Sequence, residues 1–206
     1  GGAFNLYEKD AGGRGQDALL PQSADRKFPT DWSRDGRYIL YRQIDPQTRY
    51  DIWALPVFGE RKPFAFLHTE ANEAAAVLSP DGRWLAYSSD ESGRYEVYVQ
   101  SFPGGGTKRQ ISIGGGIGPH WHGDGKELYY HAPDGKLMAV PVTSGASLAV
   151  GAPVALFEFR ASGNVIMPYY SVTRDGQRFL LSTIVETEAA APLTVVINWT
   201  AEANRK

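Results

Sequence analysis

Four Asp-Gly turns at near-constant spacing, an apolar alternation after each of them, and a further strand register repeated five times predict an all-β chain. The predicted unit is a propeller blade of four antiparallel strands. The turns lie in Asp31 to Tyr41 (DWSRDGRYILY), Ala76 to Tyr87 (AVLSPDGRWLAY), His120 to Tyr130 (HWHGDGKELYY) and Ser171 to Leu181 (SVTRDGQRFLL). Each Asp follows Ser33, Ser79, His122 or Thr173 by two residues, and the four Asp are 46, 43 and 51 residues apart. That period matches one four-stranded blade.

The first two strands of each unit, A and B, are read outward from the turn. Three residues before the Asp stand Trp32, Leu78, Trp121 and Val172; four after it stand Ile39, Leu85, Leu128 and Phe179. Both are predicted core positions. Tyr41, Tyr87, Tyr130 and Leu181 follow two residues later, the period of two that a strand requires. Asp-Gly supplies the tight turn, because Gly tolerates positive φ and Asp bonds nearby backbone N–H groups. Strand C recurs as Asn5-Leu6-Tyr7, Asp51-Ile52-Trp53, Glu96-Val97-Tyr98, Lys136-Leu137-Met138 and Pro192-Leu193-Thr194. Strand D is predicted at Lys62 to His68, Lys108 to Ile113 and Pro153 to Phe159, with a further copy near Asp17 to Leu20. The reading makes 1–24 strands C and D of a split blade, 25–69, 70–114 and 115–160 three blades, and 161–206 strands A to C of a last one.

Composition bounds the function more than it names it. The 206 residues are 42% hydrophobic and 12% aromatic, enough for a real core, and the 23 Gly and 13 Pro suit many turns. A net charge of −2 without like-charge blocks gives no pull toward nucleic acid or an anionic membrane. The absence of Cys removes disulfides and thiolate chemistry and leaves the compartment open. No apolar run is long enough to predict membrane insertion, and the first residues do not read as an export leader.

Ser79 to Val99 (SPDGRWLAYSSDESGRYEVYV), Ile111 to Tyr130 (ISIGGGIGPHWHGDGKELYY) and Pro192 to Glu202 (PLTVVINWTAE) resemble TolB-like, WD-repeat-like β-propellers. They are similar in particular to the C-terminal propeller region of bacterial multidomain proteins, some of which begin with a kinase or a winged-helix regulator. The resemblance covers essentially the whole chain. It implies an interaction or sensing module without a catalytic motif, and it leans toward a periplasmic or extracytoplasmic setting. No kinase Gly-rich loop, HRD or DFG is present, so kinase activity is not carried over. Propellers of this kind have six or more blades, whereas this chain holds about four. An open arc exposes blade faces and strand edges. The expectation is therefore a homodimer, joined head to tail, that completes a ring of about eight blades; a closed four-bladed monomer is the rival.

Candidate chemistry is sparse. His120 and His122 fall on one face of a strand, but His122 fills the slot of Ser33, Ser79 and Thr173, where a polar group supports the turn. No carboxylate spacing completes a metal site, so neither metal nor cofactor is called for. GxSxG is absent, and the triple-glycine runs at 104–106 and 114–116 neither open a helix nor precede Lys-Ser/Thr. Trp32, Trp53, Trp84 and Trp121 are read as blade-to-blade core, and Trp199 as packing for the closing blade.

Recognition is then expected on the face that carries the D–A and B–C loops. Its charge is mixed, with Asp45, Asp90 and Glu91 beside the named candidates Arg26, Lys27, Arg49, Glu70, Asn72, Glu73, Arg94, His120 and Tyr169. A mixed rim suits a protein, a peptide or a polar small molecule better than nucleic acid. The leading expectation is a noncatalytic binding module with a sensory or scaffolding role. A propeller hydrolase or lyase acting on carbohydrate or peptide, and a self-assembling unit, are the alternatives.

Overall fold

The computed structural model describes residues 4–20, 24–145, 147–162 and 169–184. β1 (Tyr7–Glu8) and β2 (Ala18–Leu19) form a two-stranded sheet. β3 (Arg26–Trp32), β4 (Tyr38–Asp45), β5 (Arg49–Pro56) and β6 (Phe64–Leu67) make the first full blade, antiparallel and in chain order. β7 (Glu73–Leu78), β8 (Trp84–Ser89), β9 (Glu96–Ser101) and β10 (Lys108–Gln110) make the second. The third contains β11 (Ile117–Trp121), β12 (Glu127–His131), β13 (Lys136–Ser144), β14 (Leu148–Val150) and β15 (Val154–Glu158). β16 (Tyr170–Val172) pairs β17 (Phe179–Leu181) as an A–B hairpin. The copy of strand C at Pro192–Thr194, the rest of the PLTVVINWTAE segment and Trp199 lie outside the described residues.

The third blade departs from the predicted plan. β13 is nine residues long, so it outruns β12 and pairs β14 at its far end and β15 at its near end. β14 has no counterpart in the other blades, and the repeat register does not announce it.

The four Asp-Gly turns share one construction. Ser33 Oγ and Ser79 Oγ each donate to the Asp two residues on at 2.6 Å, and Thr173 Oγ1 does so at 2.5 Å. The same oxygens accept the N–H of Tyr38, Trp84 and Arg178, closing the first pair of strand B onto strand A. His122 Nδ1 stands 2.7 Å from Asp124 Oδ1 in the third turn, so an imidazole replaces the hydroxyl. Gly36, Gly82, Gly125 and Gly176 all take positive φ, which fixes Gly at that position.

The core lies between blades. Along β8 adjacent residues point to opposite faces: Leu85 and Tyr87 pack with Leu40, Ile52 and Ala54 of the first blade. Trp84 and Ala86 pack with Trp121, Leu128 and Tyr130 of the third. Every side chain of β8 is therefore buried, and its sequence reads as a continuous run rather than an alternation. Hydrogen bonds add to this packing: Leu78 N donates to Asp31 Oδ2 at 2.7 Å, Trp121 Nε1 to the Val77 carbonyl at 3.3 Å, and Tyr170 Oη to the Gly118 carbonyl at 2.6 Å.

One tryptophan corrects the expectation. Trp84 and Trp121 are core, and Trp53 is half-buried against Tyr41, but Trp32 is 50% exposed. Trp121 meets strand A of the preceding blade. On that side of the first blade, the described residues provide only β1, β2 and the residues next to them, of which Leu6, just before β1, and Leu20, just after β2, cover Ile39, Tyr41 and Leu55. Trp32 finds no strand A there and bonds the carbonyl of its own turn at Gly36 instead.

Candidate binding face

The D–A and B–C loops are tied down by an acid at the start of strand C. Asp51 is fully buried and accepts from Thr48 Oγ1 at 2.8 Å, while its Oδ2 lies 2.9 Å from His68 Nδ1 in the following D–A loop. Glu96 occupies the same register one blade on. It accepts from Ser112 Oγ at 2.5 Å, Gly114 N at 3.0 Å and Gly115 N at 2.8 Å. In the second blade the carboxylate satisfies donors that would otherwise be buried unpaired; in the first it ties the half-exposed His68 ring and Thr48 to the start of the strand.

Between these two blades sits an acidic cluster. Glu73 is 1% exposed; Thr69 Oγ1 donates to its Oε1 at 2.5 Å, and its Oε2 has no partner, nor has Asp51 Oδ1. Burial first, then the charges of Asp51, Glu91 and Asp90, push the Glu73 carboxyl up to about 7 against the Thr69 bond. The Asp51 carboxylate holds His68 above its ordinary value. Asn72 is clamped to Asp90, with its N and Nδ2 each donating at 2.7 Å.

The same face opens into a cavity of about 590 Å3. Arg94 and Tyr95 come from the loop before β9, Gly115 to Ile117 from the entry to β11, His131 to Gly135 from the β12–β13 turn, and Phe159 to Ala161 with Tyr169 from the segment after β15. Its glycine wall is tightly fitted: a Cβ on Gly115 would lie 2.3 Å from Pro133 Cγ, and one on Gly116 2.6 Å from Ser112. His131 is buried, 4.5 Å from the Phe159 ring and 5.4 Å from that of Tyr169, with Nε2 3.4 Å from the Phe159 carbonyl. The Tyr169 hydroxyl is buried without a partner, a state that costs about 1–3 kcal/mol in a folded protein.

The predicted site residues do not form one site. Arg94 and Tyr169 meet in the cavity. Asn72 and Glu73 belong to the acidic cluster, with Glu70 exposed beside them. Arg49 is exposed at the β4–β5 turn, where it takes a φ of 76°. Arg26 lies over the Phe4 ring at 5.7 Å; Lys27 is buried, with Nζ 3.3 Å from Asn5 Oδ1, and burial lowers its pKa. His120 is mid-strand in β11, packed at 4.6 Å on Tyr170, and burial pushes it down to about 4. His122 belongs to its turn. No three His, Asp or Glu among the described residues are placed to share a metal ion. Tyr95, His131 and Phe159 are not among the site residues expected from the sequence; the repeated acid of strand C was the available signal for Asp51 and Glu96.

No protein-family model matches the chain. The Tol-Pal system protein TolB of Anaeromyxobacter dehalogenans is 32% identical over 114 residues, covering 54% of this chain and 25% of that protein. The crystal structure of TolB from Acinetobacter baumannii superposes with a TM-score of 0.62 at 18% identity, over 86% of this chain and 42% of that one. The chain is a TolB-like β-propeller. The fold is not confined to TolB proteins: a puromycin-hydrolyzing peptidase of Mycobacterium tuberculosis gives a TM-score of 0.61 at 21% identity, over 84% of this chain and 31% of the peptidase. The TolB-like chain thus spans about a quarter of the length of the curated relative it matches.

Proposed function

We propose that this TolB-like propeller is a noncatalytic binding module that takes a protein or peptide on its D–A/B–C face. The observation that carries the proposal is the 590 Å3 cavity there, with preformed glycine and aromatic walls and an unspent buried hydroxyl. Ligand sites of this size are concave and mostly apolar with a few placed polar groups. The imidazoles support binding over catalysis: His68 and His122 are held by carboxylates, His131 lies against a carbonyl, and His120 is packed on Tyr170. An extracytoplasmic setting agrees with the likeness to a Tol-Pal system protein. A random-peptide phage library selected on the immobilised chain is expected to enrich peptides whose binding is lost in Arg94→Glu and kept in Lys126→Glu, on the opposite A–B turns. Failure to enrich, or equal loss in both variants, removes the reading.

A second reading, self-association, is favoured by the side of the first blade where Phe4, Tyr7 and Trp32 are all exposed and line a cavity of about 350 Å3. A contiguous apolar face of this kind is costly in water. Light scattering behind a sizing column discriminates: a stable mass of twice 22.6 kDa supports completion of the ring by a second copy, and a monomer at all concentrations rejects it.

A further inference from the structure

Resting on that binding-face reading, the geometry points to a carboxylate on an apolar body as the ligand of the Arg94–Tyr169 cavity. Its polar groups are unequally spent. The carboxylates are engaged: Asp134 of the lining is held by Lys136 Nζ at 2.7 Å, and Glu96, bonded to the glycine wall without lining the cavity, by two glycine N–H groups and Ser112. Two donors are not. The Tyr169 hydroxyl is shielded at the wall without a partner, and Arg94 has a side chain 66% exposed at the mouth, only loosely associated with Glu96 at 3.9 Å. A site with surplus donors and a guanidinium selects an acceptor-rich anion. Tyr95, Ile117, Pro133 and Phe159 require that this anion be attached to an aromatic or aliphatic group. The C-terminal residue of a peptide and a small free acid share this chemistry.

Calorimetric titration of the full chain with acetyl-Gly-Ala-Phe bearing a free carboxylate, with the same peptide amidated, and with 3-phenylpropionate tests the assignment. The free acid is expected to bind at least about tenfold more tightly than the amide, as one charge-assisted bond predicts. Tyr169→Phe is expected to weaken the acid several-fold while leaving the urea midpoint unchanged or raised, because the hydroxyl makes no native hydrogen bond. A merely structural tyrosine would not separate the two readouts. If 3-phenylpropionate matches the peptide, the ligand is a small acid; if it binds more weakly, the ligand is a peptide end. Equal binding of acid and amide, no effect of Tyr169→Phe on affinity, or no binding at all overturns the carboxylate assignment. Library peptides sensitive to Arg94→Glu would still uphold the binding face, so the two failures are distinguishable.

Discussion

Replacing Glu73 by Gln should stabilise the protein at alkaline pH and leave it nearly unchanged in acid. Glu73 is enclosed at the junction of the first and second blades, with one oxygen bonded to Thr69 and the other without a partner. Its carboxyl is raised from 4.5 to about 7, so between these values the folded state binds more protons than the unfolded one. Stability then falls as pH rises through this window, and the full cost of the charge is present above it. At about 1.4 kcal/mol per pKa unit the cost at pH 8 is roughly 3 kcal/mol, an upper bound because local relaxation lowers it. Gln keeps a carbonyl for Thr69 and removes the charge facing Asp51, Asp90 and Glu91. His68, which faces the same cluster and is raised by Asp51, loses stability in the same direction as pH rises through its folded value. Asp51 supplies the larger part of the rise in the His68 value and is kept in both proteins; Glu73 supplies the smallest part, so Glu73→Gln trims the His68 contribution only slightly. Urea unfolding followed by tryptophan fluorescence at pH 5 and pH 8 should show a gain of about 1–3 kcal/mol for Glu73→Gln at pH 8 and a much smaller one at pH 5. A variant less stable than the parent at pH 8, or a difference independent of pH, would refute the placement of the charge.

Trp121→Ala should cost about 3–5 kcal/mol, since it empties the space between the second and third blades. Trp32→Ala, at the matching repeat position, should cost under about 1 kcal/mol; equal losses by urea denaturation would contradict the exposure of Trp32. Ser79→Ala should cost about 1–2 kcal/mol by leaving the Trp84 N–H unpaired. The same change should raise the pKa of Asp81: burial would lift that carboxyl, and bonds from Ser79, Ser144 and Arg83 together hold it down to about 2. An NMR titration of Asp81 that does not move would show that Ser79 contributes nothing to the turn.

What the sequence displays and what it conceals follow from how each feature is encoded. The Asp-Gly turns were legible because their chemistry is local: a hydroxyl two residues before Asp, Asp itself and a positive-φ Gly close within one stretch of chain. The identity of His122 as a turn residue was legible for the same reason, from its slot in the repeat. Burial of the tryptophans was not, because it depends on the neighbouring blade and not on the repeat: Trp32 and Trp121 share a position, and among the described residues only Trp121 has strand A of a preceding blade to pack on. The candidate site fails in the same way. A reading of loop charge marks Glu73 and Arg94 alike as rim residues, yet one is enclosed at 1% exposure and the other stands open at a cavity mouth. Periodicity assigns residues to loops; depth within those loops is set by contacts between segments tens of residues apart, such as His68 on Asp51 or Tyr169 beside His131. For a repeat fold, then, the informative sequence signal for a binding face is the residue that breaks the repeat. His131 stands where two other copies carry Ser88 and Ser182, and Tyr169 where the others carry Pro29, Ala75 and Gly118, and it is there, rather than on the charged loop tips, that a cavity wall contains a buried hydroxyl without a partner.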